Sequence, residues 1–181
     1  MALWVPLAFA FFFLGDANDV LFHRRFLRFC FPLGLLLLVN FTVLSAIIEP
    51  SSTLPIVPRL VCGALALVFL ILTVYSLFFA LPVKEAYAAQ GKKRYVRTGG
   101  VYALCRHPGV LFFIPLYLLL WLSAGIAPLF AATAILMNIL LAIYEDIFVF
   151  PKVLDGYDNY RHNTPFLIPN PISIRSCFST I

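Results

Sequence analysis

Three short groups of polar residues interrupt a chain that is otherwise strongly apolar, and each contains side chains that can do chemistry. An Arg-His-Pro triplet (the RHP triplet, 106–108) lies where a polar segment runs into an apolar one. A Glu-Asp pair (the acid pair, 145–146) follows the last long apolar run. A tail segment, YDNYRHNTPFLIPNP (157–171), comes next. Histidine, arginine and carboxylates bind protons, anions and cations, so these groups predict a site if the fold brings them together.

The sequence around the RHP triplet predicts the start of a helix. Gly99 and Gly100 permit a tight turn, and Pro108 suits the first turn of a helix, where its missing N–H costs no hydrogen bond. Arg106 and His107 would then lie at the helix entrance, where free backbone N–H groups favour an anion such as a carboxylate or phosphate. The alternative is a cationic anchor whose arginine reaches the lipid headgroups.

The acid pair stands where two negative charges are unfavourable. Acids at a membrane boundary need water or partners, and negative charge is disfavoured at a helix C-terminus. Solvation beyond the end of the helix is one interpretation. Partnership with a bound hydroxyl, amine or cation explains Glu145 and Asp146 better, and the nearest candidates within the chain are Arg106 and His107.

The tail segment combines tyrosines, prolines and asparagines with a short apolar run. Tyr157 and Tyr160 could belong to an aromatic belt at the membrane interface. The apolar residues 166–168 need something to pack against, however. We therefore expect the tail to fold back over the mouth formed by the helix ends and to close a pocket there.

Composition identifies the surroundings in which these groups must work. The chain has 181 residues, 62% of them hydrophobic and 12% charged, with a mean hydropathy of +0.98. A soluble domain has about a quarter of its residues charged, so the composition predicts an integral membrane protein. The net charge of +5 sits in short clusters between apolar runs, which favours membrane topology signals over nucleic-acid binding.

The cysteines and histidines do not indicate a metal site or a disulfide framework. The four cysteines have no CxxC spacing, and the three histidines are widely scattered. We therefore expect no metal and no nucleic acid among the partners. The Walker, dinucleotide-binding and Ser-His-Asp patterns are also missing from the sequence.

Apolar runs predict the helices that position the polar groups. A spanning helix needs about 20 apolar residues. The runs 29–48 and 60–82 satisfy this, 127–144 follows, and 110–123 and the N-terminal run 2–14 are short. We predict an all-α, polytopic membrane bundle of about five transmembrane helices, with four as the alternative. The first run has neither a basic start nor a cleavage site, so we expect it to be retained.

Charge placement predicts the orientation of the bundle. Five spans put the segments 15–28, 83–108 and 145–181 on one side, and of the 13 Lys and Arg residues Arg59 alone falls on the other. The positive-inside rule then places these segments and the C-terminus in the cytoplasm and the N-terminus outside. All the polar groups share the cytoplasmic face.

The ordered set of motifs resembles a known family. "TGGVYALCRHP", an apolar hairpin, the acid pair, "YxxY" and "TPFLIP" together resemble the isoprenylcysteine carboxyl methyltransferase family, whose wider group includes phospholipid methyltransferases. Glu145 precedes Tyr157 by the family's twelve residues, and Tyr160 completes the YxxY. The resemblance covers about residues 84–169, roughly half of the chain.

The resemblance implies one membrane domain with two parts and a methyl-donor cofactor. Residues 1–82 would be N-terminal transmembrane helices. Residues 83–181 would be a methyltransferase-like region with two transmembrane helices and a cytoplasmic C-terminal segment. The cofactor would be S-adenosylmethionine, and the acceptor an isoprenylcysteine carboxylate-like group, a phospholipid amine or a thiol.

Residue roles follow from the resemblance position by position. Residues 94–97 would line the cofactor through their backbone, the helix start would form the pocket wall, and Glu145 would bind cofactor hydroxyl or amino groups. Arg106 would pair with the acids or face the substrate. The implied catalytic residues are Arg106, His107 and Glu145. The implied cofactor-binding residues are Arg94, Tyr95, Val96, Arg97, Tyr102, His107, Pro108, Gly109, Val110, Glu145, Asp146, Tyr157 and Tyr160.

The chain also departs from the family pattern. "RHPGVLF" replaces the usual RHPxYxG, Asp146 stands where glutamate is usual, and "NILLAIY" (138–144) lacks the arginine that holds a prenylcysteine carboxylate. These departures favour one alternative, a non-catalytic membrane scaffold. The other alternative is an NADPH-dependent reductase of the sterol or enone type, because those enzymes have a similar C-terminal region that contains RHP. We expect a prokaryotic inner membrane with the site facing the cytoplasm, the endoplasmic reticulum being the alternative.

Overall fold

Apolar helices dominate the structure. A computed structural model describes residues 1–48, 50–51, 54–79 and 94–180. In chain order the described α-helices are α1 (Val5–Ala17), α2 (Cys30–Ile48), α3 (Ile56–Val74), α4 (Val101–Leu104), α5 (Pro108–Ala124), α6 (Pro128–Tyr144), α7 (Phe150–Val153), α8 (Tyr157–Asn163) and α9 (Pro171–Ser179). Two short strands, β1 (Arg94–Tyr95) and β2 (Leu154–Asp155), complete the described elements.

Four of the described helical segments are long and apolar enough to cross a membrane. They are Ala2–Phe22, Arg25–Ile48, Ile56–Phe79 and Pro128–Val153. Each is longer than its α-helix because 3₁₀ or π turns continue the same rod. Helix α5 has 17 residues and is shorter than the other four. The prediction of an all-helical chain is confirmed, and four of its described helices are candidate membrane spans by length and composition.

Two helices run beyond the apolar runs that predict them. The N-terminal helix extends past residue 14, because α1 runs to Ala17 and Asn18–Phe22 continues it as a π turn. The last long helix does not end at Tyr144, because Glu145–Val149 forms a π turn that runs into α7. Apolar periodicity misses such continuations, since the residues that form them are polar or mixed. The acid pair therefore lies inside a continuous helical segment rather than beyond its end. The last residues of the predicted run 60–82 lie outside the described residues.

The helices pack closely where small residues allow it. Helices α3 and α5 run antiparallel: Gly63 lies against Ser123 near one end, and Gly109 lies against Leu77 near the other. Helix α1 packs on α2 at Gly34, where an added Cβ would come within 2.9 Å of a backbone oxygen of α1. Because lipid offers no hydrogen bonds, such close backbone approach is a principal source of helix association in membranes.

Polar groups inside the bundle are paired. The Thr42 hydroxyl lies 2.9 Å from the Tyr117 hydroxyl, and the Ala127 N–H donates to Ser45 Oγ at 3.1 Å. Phe113 and Tyr117 stack with their centroids 4.2 Å apart beside fully buried Phe130. These contacts fix α5 between α2, α3 and α6, and α5 carries the RHP triplet at its start.

The two strands are a feature that the all-helical prediction did not contain. They pair in parallel, with Arg94 opposite Leu154 and Tyr95 opposite Asp155. The Val96 N–H adds a hydrogen bond to Asp155 O at 3.0 Å. This pairing joins the chain before the RHP triplet to the chain after the acid pair.

Candidate functional site at the RHP helix start

The RHP triplet begins a helix, as its sequence predicts. Pro108 is the first residue of α5, His107 is its N-cap, and the Leu111 N–H makes the first helical bond to His107 O at 3.1 Å. Gly100 has φ +61, a conformation that favours glycine, and it starts the short helix α4 that leads into the triplet. Among the described residues no side chain caps α5. No described side chain therefore occupies the place at its first turn where an anion would accept from the backbone N–H groups.

The acid pair lies directly against the triplet. Arg106 Nε is 2.8 Å from Asp146 Oδ1, and His107 Nε2 is 3.5 Å from the same oxygen. His107 Nδ1 is 3.6 Å from Glu145 Oε2. The prediction that Arg106 and His107 are the partners of the acids is confirmed.

Arg106 ties three parts of the chain together. One terminal nitrogen donates to Arg161 O at 2.7 Å and to Thr164 O at 3.1 Å, and the other donates to Asp146 Oδ2 at 3.1 Å. Its backbone N–H donates to Pro165 O at 2.9 Å. The side chains of Arg106 and Asp146 are 10% and 5% exposed. The guanidinium is thus committed to the chain itself and holds the tail segment down.

The tail segment folds back over the helix start, as expected. The His107 N–H donates to Phe166 O at 3.3 Å, and the His107 ring lies between Phe150 (5.6 Å between centroids) and Phe166 (5.0 Å). Tyr157 donates its hydroxyl to Asp146 Oδ1, and Tyr160 donates to Tyr102 O at 2.6 Å. The two tyrosines of the YxxY therefore anchor the tail rather than face the lipid headgroups.

The two acids differ in their surroundings. Asp146 is buried, and both of its oxygens have partners in Arg106 and Tyr157. Glu145 is 22% exposed and has the His107 ring at 3.6 Å. Asp16 of α1 lies within hydrogen-bonding reach of Glu145. Sequence reasoning did not name Asp16, although a lone acid near the end of the first apolar run was the signal that could have found it.

Burial sets the protonation of the groups outside the spans. Burial lowers the pKa of His107 below its ordinary 6.5, and the neighbouring Asp146 carboxylate opposes this in part. The ring is therefore neutral at physiological pH. Its Nε2 makes no hydrogen bond with any residue that the structure describes. Burial also raises the pKa of the Cys105 thiol to about 12, so Cys105 is not a nucleophile.

Stability is expected to fall as the pH drops below about 6.5, because the unfolded chain then protonates His107 while the folded chain does not. His107 alone can change the free energy of unfolding by at most about 1.4 kcal/mol per pH unit. Unfolding measured across this range should show the slope in the wild type and lose it in His107→Gln. His162→Gln, at an exposed position of α8, is the control. Equal slopes in the wild type and in His107→Gln would contradict the assignment.

The remaining predicted residues lie around this centre. Tyr95 is 81% exposed, and the backbone of 94–96 is engaged in strand pairing with β2. The Tyr102 hydroxyl donates to Ser76 O at 2.9 Å, which joins α4 to the π turn that extends α3. Gly109 and Val110 follow Pro108 in the first turn of α5. Residues 84–93, the beginning of the region that the resemblance covers, lie outside the described residues.

Comparison with known proteins adds no assignment. No family model matches the chain, and neither the curated proteins nor the solved structures contain a significant match. The residues of the site and their geometry are therefore the basis on which a function can be inferred.

Proposed function

We propose that the chain is an integral membrane methyltransferase that uses S-adenosylmethionine and modifies a lipophilic or small acceptor. One observation carries the proposal. An uncapped helix start and a partly exposed carboxylate lie side by side, with His107 Nδ1 3.6 Å from Glu145 Oε2. This arrangement places backbone donors for an anion beside the carboxyl groups of Glu145 and Asp16, which together suit a cation or a hydroxyl group.

The residues present fit the amino-acid part of the cofactor. A carboxylate suits the N–H groups of Gly109 and Val110 at the start of α5, which no described side chain caps. An ammonium or ribose hydroxyl group suits the Glu145 carboxylate. The buried Nε2 of His107 lies 3.5 Å from Asp146 Oδ1 without forming a hydrogen bond with any described residue, and it supplies one further polar atom in the same place. A polyphosphate cofactor such as NADPH fits less well, because Arg106 is already paired with Asp146.

When bound, S-adenosylmethionine would supply a methyl group already activated on a sulfonium, so the protein needs mainly to orient the acceptor and exclude water. Orientation and exclusion of water are effects worth several kcal/mol. Arg106 and Asp146 hold the tail over the site, and Phe150 and Phe166 fix the His107 ring. A carboxylate or thiolate acceptor needs no base. An amine or hydroxyl acceptor does, and neutral His107 is placed to accept the proton.

We further propose that α5 is a fifth span, that the site faces the cytoplasm and that the N-terminus lies outside. The positive-inside distribution of lysine and arginine supports this orientation. It gives the soluble cofactor access from the cytoplasm and a lipophilic acceptor access sideways from the bilayer. A prokaryotic inner membrane is the membrane we propose.

Ligand-dependent stability tests the proposal. The full chain in detergent is heated with S-adenosylmethionine, with S-adenosylhomocysteine or with NADPH. We expect the first two to stabilise the fold, by about 2.7 kcal/mol at a ligand concentration of 100 Kd. Stabilisation by NADPH alone would favour the reductase, and stabilisation by none of the three would favour a scaffold.

Transfer of a labelled methyl group then identifies the acceptor class. Total lipid, thiol and peptide extracts are incubated with the protein and labelled S-adenosylmethionine. Label in one class should appear with the wild type and disappear with Glu145→Gln. Equal label with both proteins would contradict the proposed site.

A further inference from the structure

A concave surface lies at the end of the bundle far from the RHP triplet. It is an open groove of about 500 Å³ between the start of α3 and the end of α5. Leu60 and Leu67 line it with apolar side chains, Ala64 leaves its floor open, and Arg59 and Ser123 lie at one end. The site described above takes no part in it.

Arg59 lies at the polar end of this groove, next to Ser123. It lies in the first turn of α3, and its Nε donates to Ser123 O of α5 at 2.6 Å. In the part of the chain that the structure describes, this is the hydrogen bond that the Arg59 side chain makes. The bond fixes the guanidinium plane, and it uses Nε rather than the two terminal nitrogens.

The groove is slightly shorter along α3 than the hydrocarbon layer of one membrane leaflet is thick. Leu67 follows Arg59 by eight residues in the same helix, which is a rise of about 12 Å. Half of a bilayer's hydrocarbon core is about 15 Å thick. An acyl chain that begins at Arg59 would therefore lie along Leu60, Ala64 and Leu67 and remain within its own leaflet.

Charge selects among the lipids that such a groove can hold. Guanidinium groups bind phosphate with paired, charge-assisted hydrogen bonds. Arg59 also stands apart from the other basic residues, on the side of the chain where the positive-inside rule disfavours a cation. A cation kept there beside an apolar groove is complementary to a lipid with a net negative headgroup.

We infer that this groove binds an anionic phospholipid, with the phosphate on Arg59 and one acyl chain between α3 and α5. The lipid comes from the leaflet opposite the candidate methyltransferase site. Because the groove and that site share no residues, the lipid site stands or fails independently of the proposed function.

Lipid retention in native mass spectrometry tests this inference. The full chain is prepared in nanodiscs of phosphatidylcholine with phosphatidylglycerol, released, and scored for the lipid that stays bound. We expect phosphatidylglycerol to be retained about tenfold more than phosphatidylcholine, the ratio that one charge-assisted contact supports. Soluble glycerophosphate, which has the headgroup phosphate without acyl chains, should not compete.

Three variants locate the bound lipid. Arg59→Gln should lose the preference for phosphatidylglycerol, and Ala64→Phe, which fills the groove, should lose retention of the lipid. Arg25→Gln removes the same charge from an exposed position at the other end of the bundle and should retain the lipid as the wild type does. Equal retention of the two lipids by the wild type, unchanged preference in Arg59→Gln, or displacement by glycerophosphate would each overturn the inference.

Discussion

Replacement of Asp146 by alanine is expected to lower the free energy of unfolding by about 3–5 kcal/mol. The Asp146 carboxylate is buried against Arg106, whose side chain is itself only 10% exposed. Removing the carboxylate leaves the guanidinium buried without its counter-charge, and it also removes the acceptor for the Tyr157 hydroxyl. Denaturant or thermal unfolding of the full chain in detergent measures the loss.

The neighbouring acid provides the matched comparison. Glu145→Ala changes the adjacent position in the same π turn, but Glu145 is 22% exposed and has no arginine in the pairing described above. We expect it to cost much less stability than Asp146→Ala. The double variant Arg106→Met with Asp146→Leu should recover only part of the loss: both buried charges are then gone, but Arg161 O, Thr164 O and the Tyr157 hydroxyl lose their partners. An equal cost for the two single variants would contradict the structural role of Asp146.

Glu145→Gln is expected to have the largest effect on cofactor binding. A hydrogen bond from an ammonium or hydroxyl group to a carboxylate contributes about 1.5–3 kcal/mol, so the affinity for S-adenosylhomocysteine should fall about 10- to 150-fold. Unfolding without ligand should change little, because glutamine keeps the shape of glutamate. Equilibrium binding to detergent-purified protein measures the ratio.

An exposed acid of α8 serves as the control for this variant. Asp158→Asn removes one negative charge from a solvent-facing position near the tail and should leave the affinity unchanged. Wild-type affinity in Glu145→Gln would mean that the acid pair does not contact the cofactor. A loss of affinity that is equal in both variants would indicate a general effect of charge.

The sequence was informative about the parts of the site that obey local rules. Proline at the first turn of a helix and glycine at a positive φ are local requirements, so the start of α5 and the turn at Gly100 could be predicted. The pairing of Arg106 with an acid could also be predicted, because a buried charge needs a partner wherever the fold places it.

The different contacts of the two acids could not be predicted from the sequence. Glu145 and Asp146 are adjacent, and only the π turn that holds them decides which carboxyl group faces Arg106 and which faces His107 and Asp16. Asp16 was missed because its proximity to Glu145 results from the packing of α1 on α6, a contact between distant parts of the chain. The pairing of β1 with β2 was missed for the same reason, since two-residue strands leave no periodic pattern.

Photo-crosslinking with radiolabelled S-adenosylmethionine tests the central claim most directly. The full chain is irradiated with the labelled cofactor, with and without excess S-adenosylhomocysteine, and the labelled peptides are mapped. The account predicts label that S-adenosylhomocysteine displaces, confined to peptides that contain His107 or Glu145. Label confined to other peptides, or label that S-adenosylhomocysteine does not displace, would contradict it.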